Sequence, residues 1–363
     1  MTLKKIIISG GGTGGHIFPA IAIADAVQQR WPDVDVLFVG ASNRMEMQKV
    51  PAVGYRIKGL WVSGLQRRLT VKNLLFPVKL MVSLVQSLIV LLQFKPDVAI
   101  GTGGFASGPL LFVATLKNIP SLIQEQNSFP GITNKFLANR VNAICVAYPK
   151  MDRFFPKSKV LFTGNPIRKN LTVASDPAQS KINFGFDPSA PILLVLGGSL
   201  GAKRINELLQ DKALFIKESN YQILWQCGEL YYSQYQLYSN GSNIRVVDFI
   251  KDMGQAYAAA DIIISRAGAL AVSELCVVGK PVIFIPSPNV AEDHQTKNAQ
   301  SLVDAGAAMM IKEKDLATQF EPSFRQLISD VELQNTLRLN MKKLAKTDAA
   351  ERIVHAIEKL VNL

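Results

Sequence analysis

Short runs of aliphatic residues alternate along this chain with longer segments in which apolar residues recur at helical spacing. Residues 6–8 are a β-branched run typical of a buried parallel strand, and a glycine-rich loop follows it. From Pro19 onward, Ile21, Ala24 and Val27 fall on one helical face. Further strand-like runs lie at 35–39, near 55, and at 98–101, 121–123, 143–146 and 160–162. This alternation predicts βαβ units and a doubly wound parallel sheet.

The same order of strand, glycine loop and helix begins again at Ile192, in ILLVLGGSLGAKRINELL. Strand-like runs of this second half lie at 223–225, 244–247, 261–264 and 282–285. Because residues 163–166 resemble a linker, the pattern predicts an N-terminal domain, 1–163, and a C-terminal domain, 164–345. Residues 346–363 carry an acidic capping box from Asp348 to Glu351 and predict a helix that packs back on the N-terminal domain.

Length and composition agree with two separate cores, since the chain has 363 residues and 48% of them are hydrophobic. The three cysteines lie far apart and form no C-x-x-C pair, which predicts buried thiols in a reducing compartment. Lys4 and Lys5 precede a strand that glycines interrupt, so the pattern predicts no signal peptide.

The positive charge of the chain is concentrated in its first half. Residues 1–163 contain 19 Lys and Arg against 7 Asp and Glu, whereas the remainder contains 21 of each. Residues 80–92 predict an amphipathic helix that begins near Pro77, with Leu84, Leu88 and Leu91 facing the sheet. The stretch 61–76 before it mixes Trp61, Leu65, Leu74, Leu75 and Phe76 with Arg67, Arg68 and Lys72. Basic and apolar residues together predict contact with an anionic membrane surface rather than nucleic acid.

The first glycine loop allows several interpretations. It satisfies G-x-G-x-x-G through Gly10, Gly12 and Gly15, but the second predicted strand does not end in the acidic residue that dinucleotide-binding folds place on a ribose. A nicotinamide-dependent oxidoreductase and a tight turn without a ligand therefore remain minor alternatives. The glycine loop after Ile192 lacks G-x-x-x-x-G-K-[S/T], which disfavours a triphosphate P-loop.

Candidate chemistry follows the ends of the predicted strands. His16, Phe105, Glu125 and Asn127 lie in three loops that a parallel sheet brings to one edge. In the second half, the glycines around Ser199 predict an anion site. Glu274, close to the start of a helix, could accept hydrogen bonds from ribose hydroxyls or could simply complement the helix dipole.

Six motifs, in order, resemble those of MurG-type enzymes, which are glycosyltransferases of the GT-B fold: GGGTGGHIFPAIAIA, GTGGFASGP, QEQNSFPGITNK, GNPIR, GGSLGAKRIN and RAGALAVSE. The resemblance covers about residues 6–300. It implies two Rossmann-like doubly wound domains that face a cleft. It also implies inverting transfer of N-acetylglucosamine from UDP-N-acetylglucosamine to undecaprenyl-diphospho-N-acetylmuramoyl-pentapeptide, in bacterial peptidoglycan synthesis. The enzyme would be peripheral, at the cytoplasmic face of the inner membrane.

The resemblance also implies a set of substrate contacts. Thr13, Gly14 and Gly15 would border the donor sugar, and Asn127 and Gln295 would contact it. Arg168 and Ser199 would hold the diphosphate. Ile250 would present its backbone to the uracil. The nucleotide would bind along one helix, with Glu274 on the ribose, through Ala269, Leu270, Ala271, Val272, Ser273 and Glu274. Family members often have two glutamines where this chain has His294 and Gln295.

An inverting transfer needs a base for the acceptor hydroxyl and stabilisation for the departing UDP. His16 has a suitable ordinary pKa of about 6.5, and Glu125 is the competing base. No cofactor and no metal are expected, because Asp33 and Asp35, the one D-x-D string, open a strand. A UDP-N-acetylglucosamine epimerase of the same fold is the closest alternative, and a non-enzymatic membrane adaptor is a third.

Overall fold

The structure, a computed structural model, describes residues 3–64, 75–167, 171, 175–198, 200–241, 243–290 and 293–361. The chain divides into two compact units. The N-terminal unit comprises Met1–Ile167 and Lys346–Leu363, and the C-terminal unit comprises Arg168–Ala345. Each unit has its own parallel sheet and its own buried apolar clusters.

The described part of the N-terminal unit is built on a parallel sheet with the strand order β3-β2-β1-β4-β5-β6-β7. Aliphatic residues at 6–8 and 98–100 are buried on both faces of this sheet, as the sequence pattern predicts for central strands. The strands are β1 (Lys5–Gly10), β2 (Asp35–Ala41), β3 (Arg56–Leu60), β4 (Val98–Gly103), β5 (Ser121–Glu125), β6 (Ala143–Val146) and β7 (Val160–Phe162).

Helices cover this sheet: α1 (Gly14–Arg30), α2 (Glu46–Lys49), α3 (Phe76–Phe94), α4 (Ser107–Leu116), α5 (Ile132–Leu137) and the C-terminal α14 (Ala349–Val361). The predicted start of α1 near Pro19 is wrong, because the helix begins more than a turn earlier. Pro19 is tolerated inside it, since the carbonyl deprived of an N–H donor belongs to the exposed Gly15. His16 therefore lies in the first turn of a helix.

The C-terminal helix α14 belongs to the N-terminal unit. Its Ile353 and Ile357 are fully buried in the same apolar cluster as Ile17 and Val27 of α1. At the end of this contact, Arg30 donates to Glu358 at 2.7 Å. One face of α14 thus completes the core beneath the first glycine loop's helix.

The described part of the C-terminal unit repeats the plan, with the strand order β10-β9-β8-β11-β12-β13. Its strands are β8 (Ile192–Leu196), β9 (Gln222–Gln226), β10 (Ile244–Val247), β11 (Ile262–Ser265), β12 (Val282–Phe284) and β13 (Met309–Met310). Its helices are α6 (Pro177–Asn183), α7 (Lys203–Glu218), α8 (Tyr232–Tyr235), α9 (Met253–Ala259), α10 (Ala269–Val278), α11 (His294–Val303), α12 (Leu316–Ser329) and α13 (Val331–Leu344). Only the two-residue β13 has no counterpart in the sequence prediction.

Both sheets reverse their strand order beside their first strand. In the N-terminal unit β1 lies between β2 and β4, and in the C-terminal unit β8 lies between β9 and β11. Ligands of doubly wound folds bind at such switch points, outside the carboxyl ends of the strands. The loops after β1, β4, β8 and β11 are therefore where each unit offers a site.

Helix α3 buries a small, partly polar face and exposes an apolar one. Ser83, Ser87, Val90 and Leu91 are buried, and Ser87 donates to the carbonyl of Ser83 at 2.7 Å. The predicted inward side is confirmed for Leu91 and wrong for Leu88, which is exposed. The outward face carries large apolar side chains, namely Val78, Met81, Val85, Leu88, Ile89 and Leu92. Among the described helices, α3 alone has the length and apolarity to cross a membrane, a test that core helices of soluble proteins also pass.

All three cysteines are buried and free, as their spacing predicts. Burial raises the pKa of Cys145 and Cys276 to about 12 and that of Cys227 to about 11. The thiols are therefore protonated at neutral pH and serve as small apolar core residues.

Candidate active site

The loops after β1 and β4 touch at the switch point of the N-terminal unit. Gly104 has φ +87°, and a Cβ on it would lie 2.2 Å from the carbonyl oxygen of Gly11. Both the left-handed backbone and the close approach require glycine at this position. The contact fixes the position of the first glycine loop relative to the end of β4.

A Gly104→Ala variant tests this contact. We expect it to lower the free energy of unfolding by about 1–3 kcal/mol, because a Cβ meets backbone and a positive φ must be kept. Urea denaturation measures the change. Gly54→Ala is the matched control, since Gly54 also has a positive φ, +90°, but no atom lies within 4 Å of a Cβ there, and it should lose less stability than Gly104→Ala. Equal stabilities of the two variants would contradict the assignment.

His16 presents one ring nitrogen to the loop and leaves the other available. Its Nδ1 lies 3.0 Å from the carbonyl oxygen of Gly11 and 3.2 Å from Oγ1 of Thr13. A carbonyl only accepts hydrogen bonds, so Nδ1 carries the proton and Nε2 is bare. Nε2 lies beside Gly103, 3.1 Å from where a Cβ would stand. The ring therefore has an unprotonated Nε2, which is what a general base needs.

Opposing influences set the pKa of His16. Burial lowers it below its ordinary value and is the largest influence. The carboxylate of Glu125, the carbonyl of Gly11 and the carboxylate of Glu46 each raise it and so limit the decrease. The imidazole is therefore neutral at pH 7, and two buried carboxylates are placed to stabilise the imidazolium that proton abstraction would form.

Glu125, the competing base, has both carboxylate oxygens occupied. Oε1 accepts from the backbone N–H of Asn127 at 3.0 Å and from its side-chain amide at 3.1 Å. Oε2 accepts from the backbone N–H of Gly131 at 3.1 Å and from Nδ2 of Asn134 at 2.8 Å. Taking a proton would disrupt this arrangement. The geometry therefore favours Glu125 as the residue that orders the loop carrying Asn127, with His16 as the base.

A buried polar network, which the sequence analysis missed, joins the segments that follow β1, β4 and β5. Gln126 Nε2 donates to the carbonyl of Thr102 at 2.8 Å, and Asn165 Nδ2 donates to the carbonyl of Gln126 at 3.0 Å. Thr102 Oγ1 donates in turn to the carbonyl of His16 at 2.8 Å. The available signal was that Gln126, Thr102, Asn134 and Asn165 all lie inside the quoted motifs. Amides bonded to backbone in this way hold the loops in register.

The first turn of α1 offers backbone N–H groups. Thr13 is the N-cap residue, and Thr13 and Gly15 are exposed while Gly14 is half-buried. N–H groups at the start of a helix have no acceptor within the helix, so they can bind an anionic or polar group. Gly12 is different, because its N–H already donates to Oε2 of Glu46 at 3.0 Å.

The glycine loop of the C-terminal unit is packed against the end of β9. A Cβ on Gly228, whose φ is +90°, would lie 2.1 Å from the backbone nitrogen of Gly201. Gln226 bridges the same region, donating from Nε2 to the carbonyl of Gly198 and accepting from the N–H of Ile250 at 2.9 Å. The N–H of Ile250 is thus used internally, which leaves its carbonyl for the predicted contact with uracil. Arg168 and Ser199 lie outside the described residues.

Helix α10 follows β11 after a three-residue turn and starts at Ala269, with Gly268 as its N-cap. Ala269, Leu270 and Val272 are buried, while Ala271 and Ser273 are half-buried. Glu274 is buried, and its Oε2 accepts from the hydroxyl of Tyr257 at 3.3 Å. The helix N-terminus and a buried carboxylate thus occur together at the switch point of this sheet.

Gln295, in the first turn of α11, uses its amide oxygen in a hydrogen bond within the unit. Its Oε1 accepts from the N–H of Ser287 at 2.9 Å, which ties α11 to the loop after β12. Arg266, the first residue of the RAG turn, donates to the carbonyl of Ile285 at 2.9 Å and forms an ion pair with Glu313. Arg266 therefore supports the turn from inside the unit.

Within the described ranges, no group of three or more His, Cys, Asp or Glu side chains could hold a metal ion. Asp35, in the D-x-D string, forms an ion pair with Arg56.

Residues 6–146 match the glycosyltransferase family 28 N-terminal domain, and residues 192–355 match the corresponding C-terminal domain. Two relatives are both named UDP-N-acetylglucosamine--N-acetylmuramyl-(pentapeptide) pyrophosphoryl-undecaprenol N-acetylglucosamine transferase. The one from Flavobacterium psychrophilum is 53% identical, with 99% of both chains covered. The one from Christiangramia forsetii is 52% identical, with 99% of this chain and 98% of the relative covered. The crystal structure of Acinetobacter baumannii MurG has a TM-score of 0.77 and 29% identity, covering 98% of this chain and 99% of that one.

Proposed function

The chain belongs to glycosyltransferase family 28, and on that premise we propose that it is the N-acetylglucosaminyltransferase that acts on undecaprenyl-diphospho-N-acetylmuramoyl-pentapeptide. UDP-N-acetylglucosamine is the donor, and transfer inverts the configuration at its anomeric carbon. The product is the disaccharide lipid used in peptidoglycan synthesis. The expected GT-B architecture of two doubly wound parallel-sheet domains is confirmed.

The observation that carries this function is His16 with its bare Nε2 at the switch point of one sheet, in a chain whose full length matches relatives with the transferase name. In this mechanism, Nε2 takes the proton of the acceptor hydroxyl as that oxygen attacks the anomeric carbon and UDP departs. The carboxylate of Glu125 stabilises the resulting imidazolium. Arg168 and the glycine loop around Ser199 neutralise the charge of the departing diphosphate.

The remaining substrate contacts are assigned from the resemblance together with the local geometry. Helix α10, from Ala269 to Glu274, binds the nucleotide, with Glu274 on the ribose, and Ile250 reaches the uracil through its carbonyl. The sugar is assigned Asn127, held in place by Glu125, together with Thr13, Gly14, Gly15 and Gln295. Three of these features support the scheme locally: two helix N-termini at switch points and one buried carboxylate.

Acceptor dependence tests the proposed function and separates it from an epimerase of the same fold. UDP release should require both UDP-N-acetylglucosamine and the lipid-linked acceptor. An epimerase would act on the UDP-sugar in the absence of lipid. Release of UDP without acceptor, at the full rate, would overturn the proposal.

We also propose that the enzyme is peripheral at the cytoplasmic face of the membrane and binds through the outward face of α3. This face carries exposed apolar side chains from Val78 to Leu92, whereas the small residues Ser83 and Ser87 of the same helix are buried. Trp61, at the start of the basic stretch, is exposed and lies 5.7 Å from the ammonium group of Lys79. Residues 65–74, with Arg67, Arg68 and Lys72, lie outside the described residues. Apolar insertion beside cationic side chains is how interfacial helices hold an anionic bilayer.

The triple variant Met81→Ser, Val85→Ser, Leu92→Ser tests this surface, since all three side chains are exposed and the fold should tolerate the change. Loss of inserted apolar area should weaken binding to anionic vesicles by about tenfold, a free energy of about 1.4 kcal/mol. Co-sedimentation measures it. Activity on the full-length lipid acceptor should fall, while activity on a short-chain soluble analogue should remain.

The matched control replaces exposed apolar residues of the C-terminal unit, Leu214→Ser, Leu237→Ser and Val331→Ser. It should sediment with vesicles like the wild type. If the α3 variant also sediments like the wild type, or loses both activities equally, α3 is not the membrane contact.

A further inference from the structure

A buried carboxylate that the sequence analysis does not single out lies beneath the first glycine loop. Glu46, the first residue of α2, has no exposed surface. Its Oε1 accepts from the N–H of Ala41 at 2.9 Å, and its Oε2 accepts from the N–H of Gly12 at 3.0 Å. A carboxylate buried away from water is costly, so its retention at this place calls for a reason.

Glycines on two strand ends make room for this side chain. A Cβ on Gly11 would lie 2.2 Å from Oε1 of Glu46, and one on Gly40 would lie 2.5 Å from its Cγ. The absence of a side chain at these two positions therefore leaves the space that the carboxylate of Glu46 occupies, independently of any ligand that the loop binds. Part of the glycine-rich motif thus makes room for the carboxylate of Glu46. The N–H of Gly12 donates to that carboxylate and is therefore not available to bind substrate.

Glu46 reaches His16 through a single peptide group. The N–H of Gly12 and the carbonyl of Gly11 belong to the same peptide unit. That N–H donates to Glu46, and that carbonyl accepts from Nδ1 of His16 at 3.0 Å. The contacts therefore run from the carboxylate of Glu46, through this peptide group, to the imidazole of His16. Hydrogen bonds in such a chain polarise one another, so a negative charge at one end makes the carbonyl at the other a better acceptor.

We propose that Glu46 is a positioning residue of the reaction, acting through the peptide between Gly11 and Gly12 to hold His16 with its proton on Nδ1 and to stabilise its protonated form. The proposal rests on the proposed function only for the part that concerns catalysis. The charged groups that act on the imidazole are Glu125 from the end of β5 and Glu46 from α2. Because Glu125 is held by its own four donors, Glu46 is the carboxylate coupled to the ring through the loop.

The test compares Glu46→Gln with Glu46→Asp, and Asp25→Asn is the matched control. Glutamine keeps the volume but removes the charge and turns an amide N–H₂ toward one of two N–H donors. Aspartate keeps the charge. Asp25 lies on α1, the helix of His16, and accepts from Tyr55 instead of acting on the imidazole.

Two measurements show how Glu46 affects His16. The chain has three histidines, so ¹⁵N-histidine NMR, assigned with His16→Gln, gives the tautomer and pKa of His16 directly. The pH profile of kcat/KM on the short-chain soluble acceptor shows its acid limb, which is the fall in kcat/KM at low pH as the base becomes protonated. Removing a nearby anion disfavours the imidazolium, so Glu46→Gln should lower the pKa of His16 and move the acid limb to lower pH. The kcat should fall about tenfold, within the scale of a misplaced or weakened general base.

UDP affinity of Glu46→Gln should equal that of the wild type, because its site is assigned to the other unit. Glu46→Asp should bring the acid limb back toward the wild-type position, and Asp25→Asn should not move it. An unshifted His16 pKa in Glu46→Gln, or a wild-type His16 protonated on Nε2, overturns the proposal. If Glu46→Gln does not fold, the wild-type tautomer and the Glu46→Asp titration decide. Absence of transferase activity in the wild type would instead refute the proposed function, while the NMR result still judges Glu46.

Discussion

Replacing His16 with alanine should lower kcat about 10²–10⁴-fold, the usual contribution of a general base. The reason is geometric, because Nδ1 is committed to the carbonyl of Gly11 and Nε2 is the bare nitrogen. UDP affinity should be unchanged. In the wild type, the acid limb of kcat/KM should fall below pH 6.5, since burial lowers the pKa of His16 and the base is lost only when the pH drops beneath that lowered value.

The control for this variant is His355→Ala. His355 lies on α14 with its Nδ1 3.3 Å from Glu358, far along the sequence from either glycine loop. It should retain wild-type turnover. If His16→Ala turns over like His355→Ala, the base lies elsewhere and Glu125 returns as the candidate, in spite of its four hydrogen-bond donors.

Replacing Glu274 with alanine should weaken UDP binding by about 1–3 kcal/mol, or roughly 5–150-fold, the scale of a lost buried hydrogen bond to a charged group. Glu274 is buried in α10, whose N-terminus lies at the switch point of its sheet. Isothermal calorimetry with UDP measures the change. Turnover at saturating donor should fall much less than in His16→Ala.

Tyr257→Phe separates a ligand contact of Glu274 from its internal role. The tyrosine hydroxyl donates to Oε2 of Glu274, so Tyr257→Phe removes one hydrogen bond to the carboxylate and leaves the carboxylate in place. We expect UDP affinity close to that of the wild type. If Tyr257→Phe weakens UDP binding as much as Glu274→Ala does, the carboxylate acts by supporting the helix. Unchanged affinity in Glu274→Ala would refute the assignment to the ribose.

The strands were predictable because buried parallel strands leave a clear mark in sequence. Runs such as 6–8 and 192–196 are aliphatic without interruption, and each is bounded by a glycine loop. Helix faces were less predictable. In α3 the serines Ser83 and Ser87 face inward, because close packing on the unit favours small side chains, while Leu88 faces outward. Hydropathy alone assigns these residues to the opposite sides.

The site was predictable as a set of strand ends but not as a set of roles. His16 and Glu125 were expected at one edge of the sheet, and the carboxylate of Glu125 acts there on the imidazole of His16. Which of them is the base depends on the donors around Glu125, and no spacing in the sequence reveals these. Glu46 was missed because a carboxylate in a short surface-type segment normally faces solvent. Only the three-dimensional path of the first glycine loop places it under Gly12.

The central claim is the transfer itself, and the product tests it most directly. The enzyme is incubated with UDP-N-acetylglucosamine and the undecaprenyl-linked muramoyl-pentapeptide, and the lipid product is isolated for mass spectrometry and proton NMR. We predict one added N-acetylhexosamine per acceptor, one UDP released for each, and a large coupling between the first two ring protons, which marks the inverted β-linkage. An unmodified lipid beside an epimerised sugar, or an α-linked product, would contradict the account.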